Sequence, residues 1–197
     1  RVDFGNDVFV GTLDYTPDGE AGTTGTFGSQ LVVDGETGVL YVLDAGQVFV
    51  VDPAGPTVTP LALERSAESL AIDAARRRLF VALATDGSGA VVTALDLDDL
   101  TAGETVVLGN QIHRMVVDPD SGRLFANVRV STSWTTRVYA LESDLSEVPW
   151  VLELAADPVA TGSSSHAWPA VGGGRLVVAS PATLDGGQSR LDVYALP

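Results

Sequence analysis

One unit of sequence occurs four times along this chain, and that repetition constrains the fold more than any other feature. Residues 31–44, 70–83, 115–128 and 167–180 align as LVVDGETGVLYVLD, LAIDAARRRLFVAL, MVVDPDSGRLFANV and AWPAVGGGRLVVAS. Each copy is a short apolar run, a polar or glycine-bearing connection of six residues, and a second apolar run. In the first three copies an aspartate (Asp34, Asp73, Asp118) closes the first run, and an aromatic (Tyr41, Phe80, Phe125) stands seven residues further on. The fourth copy has Ala170 and Val177 at those positions. A chain of this kind builds one small supersecondary unit repeatedly, and each unit needs its neighbours to cover its apolar faces.

Successive anchor positions are 39, 45 and 52 residues apart, a period that suits one four-stranded blade per copy. Runs of Val, Leu and aromatics bounded by Gly, Pro, Asp and Ser predict the strands. A third strand is predicted after each pair, over 47–52, 90–96, 137–141 and 190–196, and a fourth in three copies, over 58–63, 105–108 and 149–154. A single turn at 96–101 is the one helical candidate. The expectation is an all-β protein: a β-propeller with four recognisable blades of about four antiparallel strands. It forms a single domain over 1–197, with blade cores near 31–63, 70–108, 115–154 and 167–197.

The last copy lacks an outer strand, while the N-terminal segment has a spare one near 8–13, within 1–13. If that strand completes the fourth blade, a closed four-bladed ring results and sheet edges are hidden. If instead NDVFVGTLDYTPDG is the third strand of another blade, as its likeness to GQVFVVDPAG suggests, the four blades are a fragment of a larger propeller. The sequence is compatible with both. The chain opens at Arg1 with neither Met nor a signal peptide, which fits a processed product or a fragment.

Composition narrows the partners. The formal net charge is −15 and all eleven Lys or Arg positions are arginine, so phosphate backbones and anionic membrane surfaces are repelled and no nucleic acid partner is expected. No run approaches the roughly 18 apolar residues of a membrane span, so no membrane insertion is expected either. There is no Cys, which excludes disulfides, thiolate metal sites and a cysteine nucleophile.

In a propeller the innermost strands line a central channel, and the residues just ahead of them ring its mouth. Four positions before the anchors stand Gln30, Ser69, Arg114 and His166; five before stand Ser29, Glu68, His113 and Ser165. Both histidines of the chain fall in this ring, as do Arg114 and the carboxylate of Glu68. Histidine moves protons near neutrality, and arginine holds a carboxylate or phosphate by two parallel hydrogen bonds. His113, His166 and Glu68 also have the donor atoms for a divalent metal, although no metal and no cofactor is expected. The alternative is that the polar ring solvates the channel mouth, with Arg114 paired to Glu68.

Trp134 and Trp168 sit in or beside longer polar insertions and form a second candidate binding surface, or else cover gaps between blades. Asp118 and Asp120 are ordinary turn chemistry rather than a calcium loop. Arg76, Arg77 and Arg78 are expected as an exposed basic spot in a hairpin. Gly172, Gly173 and Gly174 join two strands, unlike a phosphate cradle, which leads into a helix. No Gly-x-Ser-x-Gly nucleophile elbow is present.

The tracts VDPDSGRLFA (117–126) and VDGETGVLYVL (33–43) resemble the YVTN and NHL-like propeller repeats of bacterial secreted and surface proteins. The resemblance covers residues 28–197, but the Tyr-Val-Thr-Asn tetrapeptide itself is replaced by Tyr41-Val42-Leu43-Asp44. It implies an extracellular, cell-surface or periplasmic location and leaves activity open, because the superfamily mixes binders, sensors and enzymes. Streptogramin lyases and lactonases, propellers similar in ancestry, place polar or metal-binding residues at the channel mouth. The expected function is a non-catalytic, exported binding or structural module whose partner is a protein, glycan or small molecule. Self-association through open strand edges is a further arrangement. The alternative is a lyase- or lactonase-like enzyme, with His113, His166 and Glu68 as candidate catalytic groups and Arg114 holding an anion.

Overall fold

Short apolar runs joined by tight polar turns fold back on themselves, so each repeat becomes an antiparallel meander whose strands follow one another in space. The computed structural model describes residues 30–55, 57–129, 136–154, 168–180 and 190–196. The first blade comprises β1 (Gln30–Val33), β2 (Leu40–Asp44), β3 (Gln47–Asp52) and β4 (Thr57–Pro60). The second comprises β5 (Ala67–Asp73), β6 (Arg78–Leu83), β7 (Ala90–Asp96) and β8 (Ala102–Leu108). The third comprises β9 (Gln111–Val117), β10 (Leu124–Arg129), β11 (Thr136–Leu141) and β12 (Glu147–Leu154). The fourth has three strands, β13 (Trp168–Gly172), β14 (Arg175–Ser180) and β15 (Arg190–Ala195). Strand order within each sheet is sequential. The fold is the expected all-β propeller architecture, with no helix among the described residues.

Two expectations shift in detail. The helical candidate at 96–101 is a strand-to-strand turn in which Leu100 N–H donates to Asp96 O at 2.8 Å and Leu100 has φ 57°. The outer strand of the first blade stops at Pro60 rather than continuing to Leu63.

The inner hairpins share one turn geometry. The residue four after the anchor is left-handed in every copy: Gly38 (φ 77°), Arg77 (φ 54°), Gly122 (φ 77°) and Gly174 (φ 67°). Glycine tolerates that conformation, whereas arginine is strained in it. The anchor aspartates cap the turns from within, as Asx residues do. Asp34 accepts from Glu36 N at 3.1 Å and Thr37 Oγ1 at 2.7 Å, and Asp118 accepts from Ser121 Oγ at 2.6 Å.

The aromatic of each of the first three repeats plugs the seam with the next blade. Tyr41 packs in a cluster with Leu70, Leu79 and Val81 of the second blade. Phe80 packs with Ile112, Met115 and Leu124 of the third. Phe125 packs with Leu176 and Val178 of the fourth. All three aromatics are buried, each contributing on the order of 2–3 kcal/mol from apolar area alone.

The arginine triplet is ion-paired rather than the free basic spot that its hairpin position suggested, although Arg76 is exposed as expected. Arg76 pairs with Asp73 at 3.1 Å, and its guanidinium also lies against Gly122 of the third blade. Arg77 pairs with Asp34 of the first blade at 2.6 Å and with Asp98 at 2.9 Å, and Arg78 pairs with Glu104 at 2.9 Å. On so acidic a chain a carboxylate lies within reach of each, and the pairs tie hairpins together.

Blades pack in order, β1 against β5, β5 against β9 and β9 against β13. The outward faces of the end blades stay open: Leu31 and Leu191 are 58% and 66% exposed. The described sheets thus form an open arc rather than a closed four-bladed ring. The closing strand expected near 8–13 lies outside the described residues.

Candidate functional site

The inner strands carry a bulge at one repeat position. Along β5 the pairing steps from Ala67 opposite Leu83 to Ser69 opposite Ala82, leaving Glu68 as the extra residue. Along β9 it steps from Ile112 opposite Val128 to Arg114 opposite Asn127, leaving His113 as the extra residue. A bulge re-aims its side chains and sharpens the twist, which is why bulges gather at the rims of closed β structures. The position five before the anchor is therefore a bulge position in both blades.

Each innermost strand is also the edge of its sheet, so half of its N–H groups point away from the sheet and need acceptors. The predicted ring supplies them. Gln30 Oε1 accepts from Leu70 N at 2.7 Å, and Ser69 Oγ accepts from Met115 N at 3.1 Å. Glu68 Oε2 accepts from Ile112 N at 3.0 Å. Polar side chains of one blade thus satisfy the backbone of the next. Burial pushes the Glu68 carboxyl above its ordinary value, against the opposing pull of the Ile112 N–H and the positive charge of Arg129.

Arg114 occupies the repeat position held by Gln30 and Ser69, yet a guanidinium only donates and cannot perform the same tie. Among the described residues no carboxylate pairs with it, and Glu68 is engaged with Ile112 instead. Arg114 borders a cavity of about 330 Å³ shared by all four inner strands: Gln30 and Leu31 of β1, Leu70 of β5, Met115 of β9 and Pro169 of β13. The four inner strands therefore do converge around one axial hollow, as the repeat alignment requires.

The structure brings Gln30 and Arg114 to this hollow and places Glu68 and Ser69 in the seam between the second and third blades. His113 sits half-buried on the β9 bulge. Trp168 opens β13. His166 and Trp134 lie outside the described residues. Among the described residues no three His, Asp or Glu side chains are grouped so as to hold a metal ion, and no helix is long and apolar enough to cross a membrane. Sequence reasoning overlooked the seam contacts, above all Arg77 with Asp34. The available signal was an arginine standing where the other copies carry glycine.

Sequential four-stranded meanders arranged blade by blade around an axial hollow define a β-propeller. No family model matches the chain, and no curated protein does. Solved structures do. A nidogen/laminin complex matches with a TM-score of 0.59 at 17% identity, over 84% of this chain and 59% of that one. The WD40 domain of Toxoplasma gondii coronin matches with a TM-score of 0.58 at 14% identity, over 81% and 43%. The β-propeller domain of the trilobed protease from Pyrococcus furiosus, described as having an open velcro topology, matches with a TM-score of 0.54 at 12% identity, over 81% and 50%. The likeness is one of fold, and the chain spans about half the length of these propellers.

Proposed function

We propose that this chain is a non-catalytic β-propeller binding module of an exported protein, and that its axial hollow receives an acidic group carried on an apolar segment of a protein partner. Arg114 carries the reading. It is a cation without a carboxylate among the described residues, in a chain of net charge −15, set beside Gln30, Leu70 and Met115 in a hollow of about 330 Å³. A partly buried guanidinium with apolar neighbours is matched by a carboxylate whose remaining surface is apolar. The neighbouring ring acceptors Gln30, Ser69 and Glu68 are engaged by main-chain N–H groups, which favours binding over turnover at this place. Structural neighbours that include a nidogen/laminin complex support a protein as the partner. The tracts at 33–43 and 117–126 support the YVTN or NHL-like kind of repeat and, with it, export.

A fluorescence-anisotropy screen of apolar peptides ending either in a free carboxylate or in an amide tests this. Peptides with the free carboxylate should bind, amidation should weaken them, and Arg114→Ala should lower affinity about 10- to 100-fold, the worth of a charge-assisted hydrogen-bond pair. Equal affinity of Arg114→Ala and the natural chain for the same peptide would remove the proposal.

A further inference from the structure

The three anchor aspartates are all buried, and two of them have their charge met by an arginine. Asp34, Asp73 and Asp118 are 1%, 3% and 4% exposed. Asp34 is clasped across the first seam by Arg77 Nη1 at 2.6 Å. Asp73 is met within its own hairpin by Arg76 Nη1 at 3.1 Å. That guanidinium fills the space beside Gly122, the third-blade residue at the repeat position of Arg77. At the third seam neither arrangement recurs. Asp118 has Ser121 where Asp73 has Arg76, and the following blade offers Gly174 where the second blade offers Arg77 to Asp34. Ser121 Oγ donates to Asp118 Oδ2 at 2.6 Å, while Oδ1 is buried with no hydrogen-bond partner among the described residues. Nothing lies within 4 Å of where a Gly174 side chain would begin.

We propose that this third seam is a receptor for one basic side chain of a protein partner, an arginine that enters beside Gly174 and closes on Asp118. The inference stands apart from the reading of the axial hollow.

A carboxylate buried with one oxygen unpaired is costly, and a charge-assisted hydrogen bond from a cation relieves that cost. None of the described arginines donates to Asp118 Oδ1. Arg175, next to Gly174, holds the repeat position of Arg78 and Arg123, which pair within their own blades with Glu104 and Glu142. That position serves its own sheet and not the anchor of the preceding blade. The surroundings of Asp118 suit a guanidinium. Asp120 holds the repeat position of Glu36, whose carboxylate lies 3.7 Å from Arg77 Nη1, so a buried and an exposed carboxylate occur together in the third blade as in the first. A guanidinium offers separate nitrogens to two carboxylates, as Arg77 does to Asp34 and Asp98, whereas an ammonium is a point charge. A divalent ion is short of ligands, because no three His, Asp or Glu side chains are grouped among the described residues. A chain of net charge −15 also attracts basic segments.

Nuclear magnetic resonance titration of the isotope-labelled chain with N-acetyl-arginine amide, at pH 7 in about 0.15 M NaCl, tests this. Amide resonances of Ser121, Gly122 and Gly174 should shift saturably with a Kd on the order of 1–10 mM, as suits a single side chain. N-acetyl-citrulline amide, which keeps the shape and lacks the charge, should leave them in place. Asp118→Asn retains an acceptor for Ser121 and should weaken binding about 10-fold or more. Gly174→Arg, which places a guanidinium in the same opening, should block binding, whereas Gly174→Ala should retain it; this pair decides the matter if Asp118→Asn does not fold. Shifts that never saturate, equal binding of the citrulline compound, or unchanged affinity in Asp118→Asn or in Gly174→Arg would each overturn the inference. Arginine amide binding that tightens about 10-fold in Arg175→Gln would overturn it too, since Arg175 would then be the cation that closes on Asp118.

Discussion

Arg77, in the inner hairpin of the second blade, donates to the buried carboxylate of Asp34 in the first blade at 2.6 Å, and does so from a left-handed backbone with φ 54°. The other three copies hold glycine at this point of the turn. Conformational strain is accepted here because the guanidinium neutralises a carboxylate that is only 1% exposed. Burial by itself would raise the Asp34 carboxyl; the hydrogen bonds from Arg77, Thr37 and Glu36 N outweigh it and hold the group below its ordinary 3.8.

Arg77→Ala should therefore lower Tm by about 5–10 °C at pH 7, since it strands a buried charge. The sign with pH follows from the lowered carboxyl. Its stabilisation is complete above the ordinary value of 3.8 and disappears as pH falls through the lower folded-state value. Thermal melts of both proteins should thus differ most at neutral pH and converge in strong acid. A gap that stays constant down to pH 2 would mean that Arg77 acts through packing alone.

Glu68 has the opposite sign. Its carboxyl is raised by burial, so its ionised form is disfavoured in the folded chain, and the associated stability is lost as pH rises above the ordinary 4.5 through the folded-state value. Glu68→Gln keeps an acceptor for Ile112 N and removes the charge. Its Tm should match the natural chain in acid and equal or exceed it by a few degrees at pH 8. Glu68→Ala leaves that N–H without its acceptor and should cost about 1–3 kcal/mol at either pH. If Glu68→Gln is the less stable protein at pH 8, the carboxylate has a favourable partner that outweighs its burial.

The aromatic plugs make the blades separable by mutation. Phe125 is fully buried between the third and fourth blades, so Phe125→Ala should cost about 3–5 kcal/mol. The loss should fall unevenly. Hydrogen exchange should accelerate first in β13, β14 and β15, because a repeat array opens from its least supported end. Uniform acceleration through β1 to β15 would show that the four blades unfold as one unit.

How much of this was legible beforehand depends on the length scale of each feature. The aspartate, the glycine-bearing turn and the aromatic recur within single hairpins, so periodicity alone located β1, β2, β6, β10 and β14 closely, whereas β5 and β9 begin three and four residues ahead of the predicted runs at Leu70 and Met115 and take in Glu68, Ser69, His113 and Arg114. The ring of Gln30, Ser69 and Arg114 was also legible as a set of equivalent positions. What those side chains touch was not. The bonds from Gln30 to Leu70 N and from Ser69 to Met115 N span 40 and 46 residues, and repeat alignment superposes blades without showing which side chain crosses a seam. Arg77 was misjudged for the same reason: as part of an Arg-Arg-Arg run it looks solvent-facing until the neighbouring blade supplies Asp34. The bulges at Glu68 and His113 add one residue to a strand without altering its apolar pattern, so they left no mark in the sequence.

The seam rule also exposes a vacant position that can be filled. Asp118 Oδ1 is buried and has no hydrogen-bond partner among the described residues, although Asp118 is the third-blade counterpart of Asp34. The residue matching Arg77 in the following blade is Gly174, which has φ 67° and nothing within 4 Å of where a Cβ would stand. Gly174→Ala should cost about 1 kcal/mol for placing a side chain in a left-handed conformation. Gly174→Arg bears the same strain but brings a guanidinium towards Asp118, so it should recover that loss and melt above Gly174→Ala. The comparison between the two variants cancels the backbone effect. Repeating it in an Asp118→Asn background isolates the pair, since the advantage of arginine over alanine should vanish there if the two side chains interact. An advantage that persists in Asp118→Asn would show that the arginine finds some other partner and that the clasp is peculiar to the first two blades.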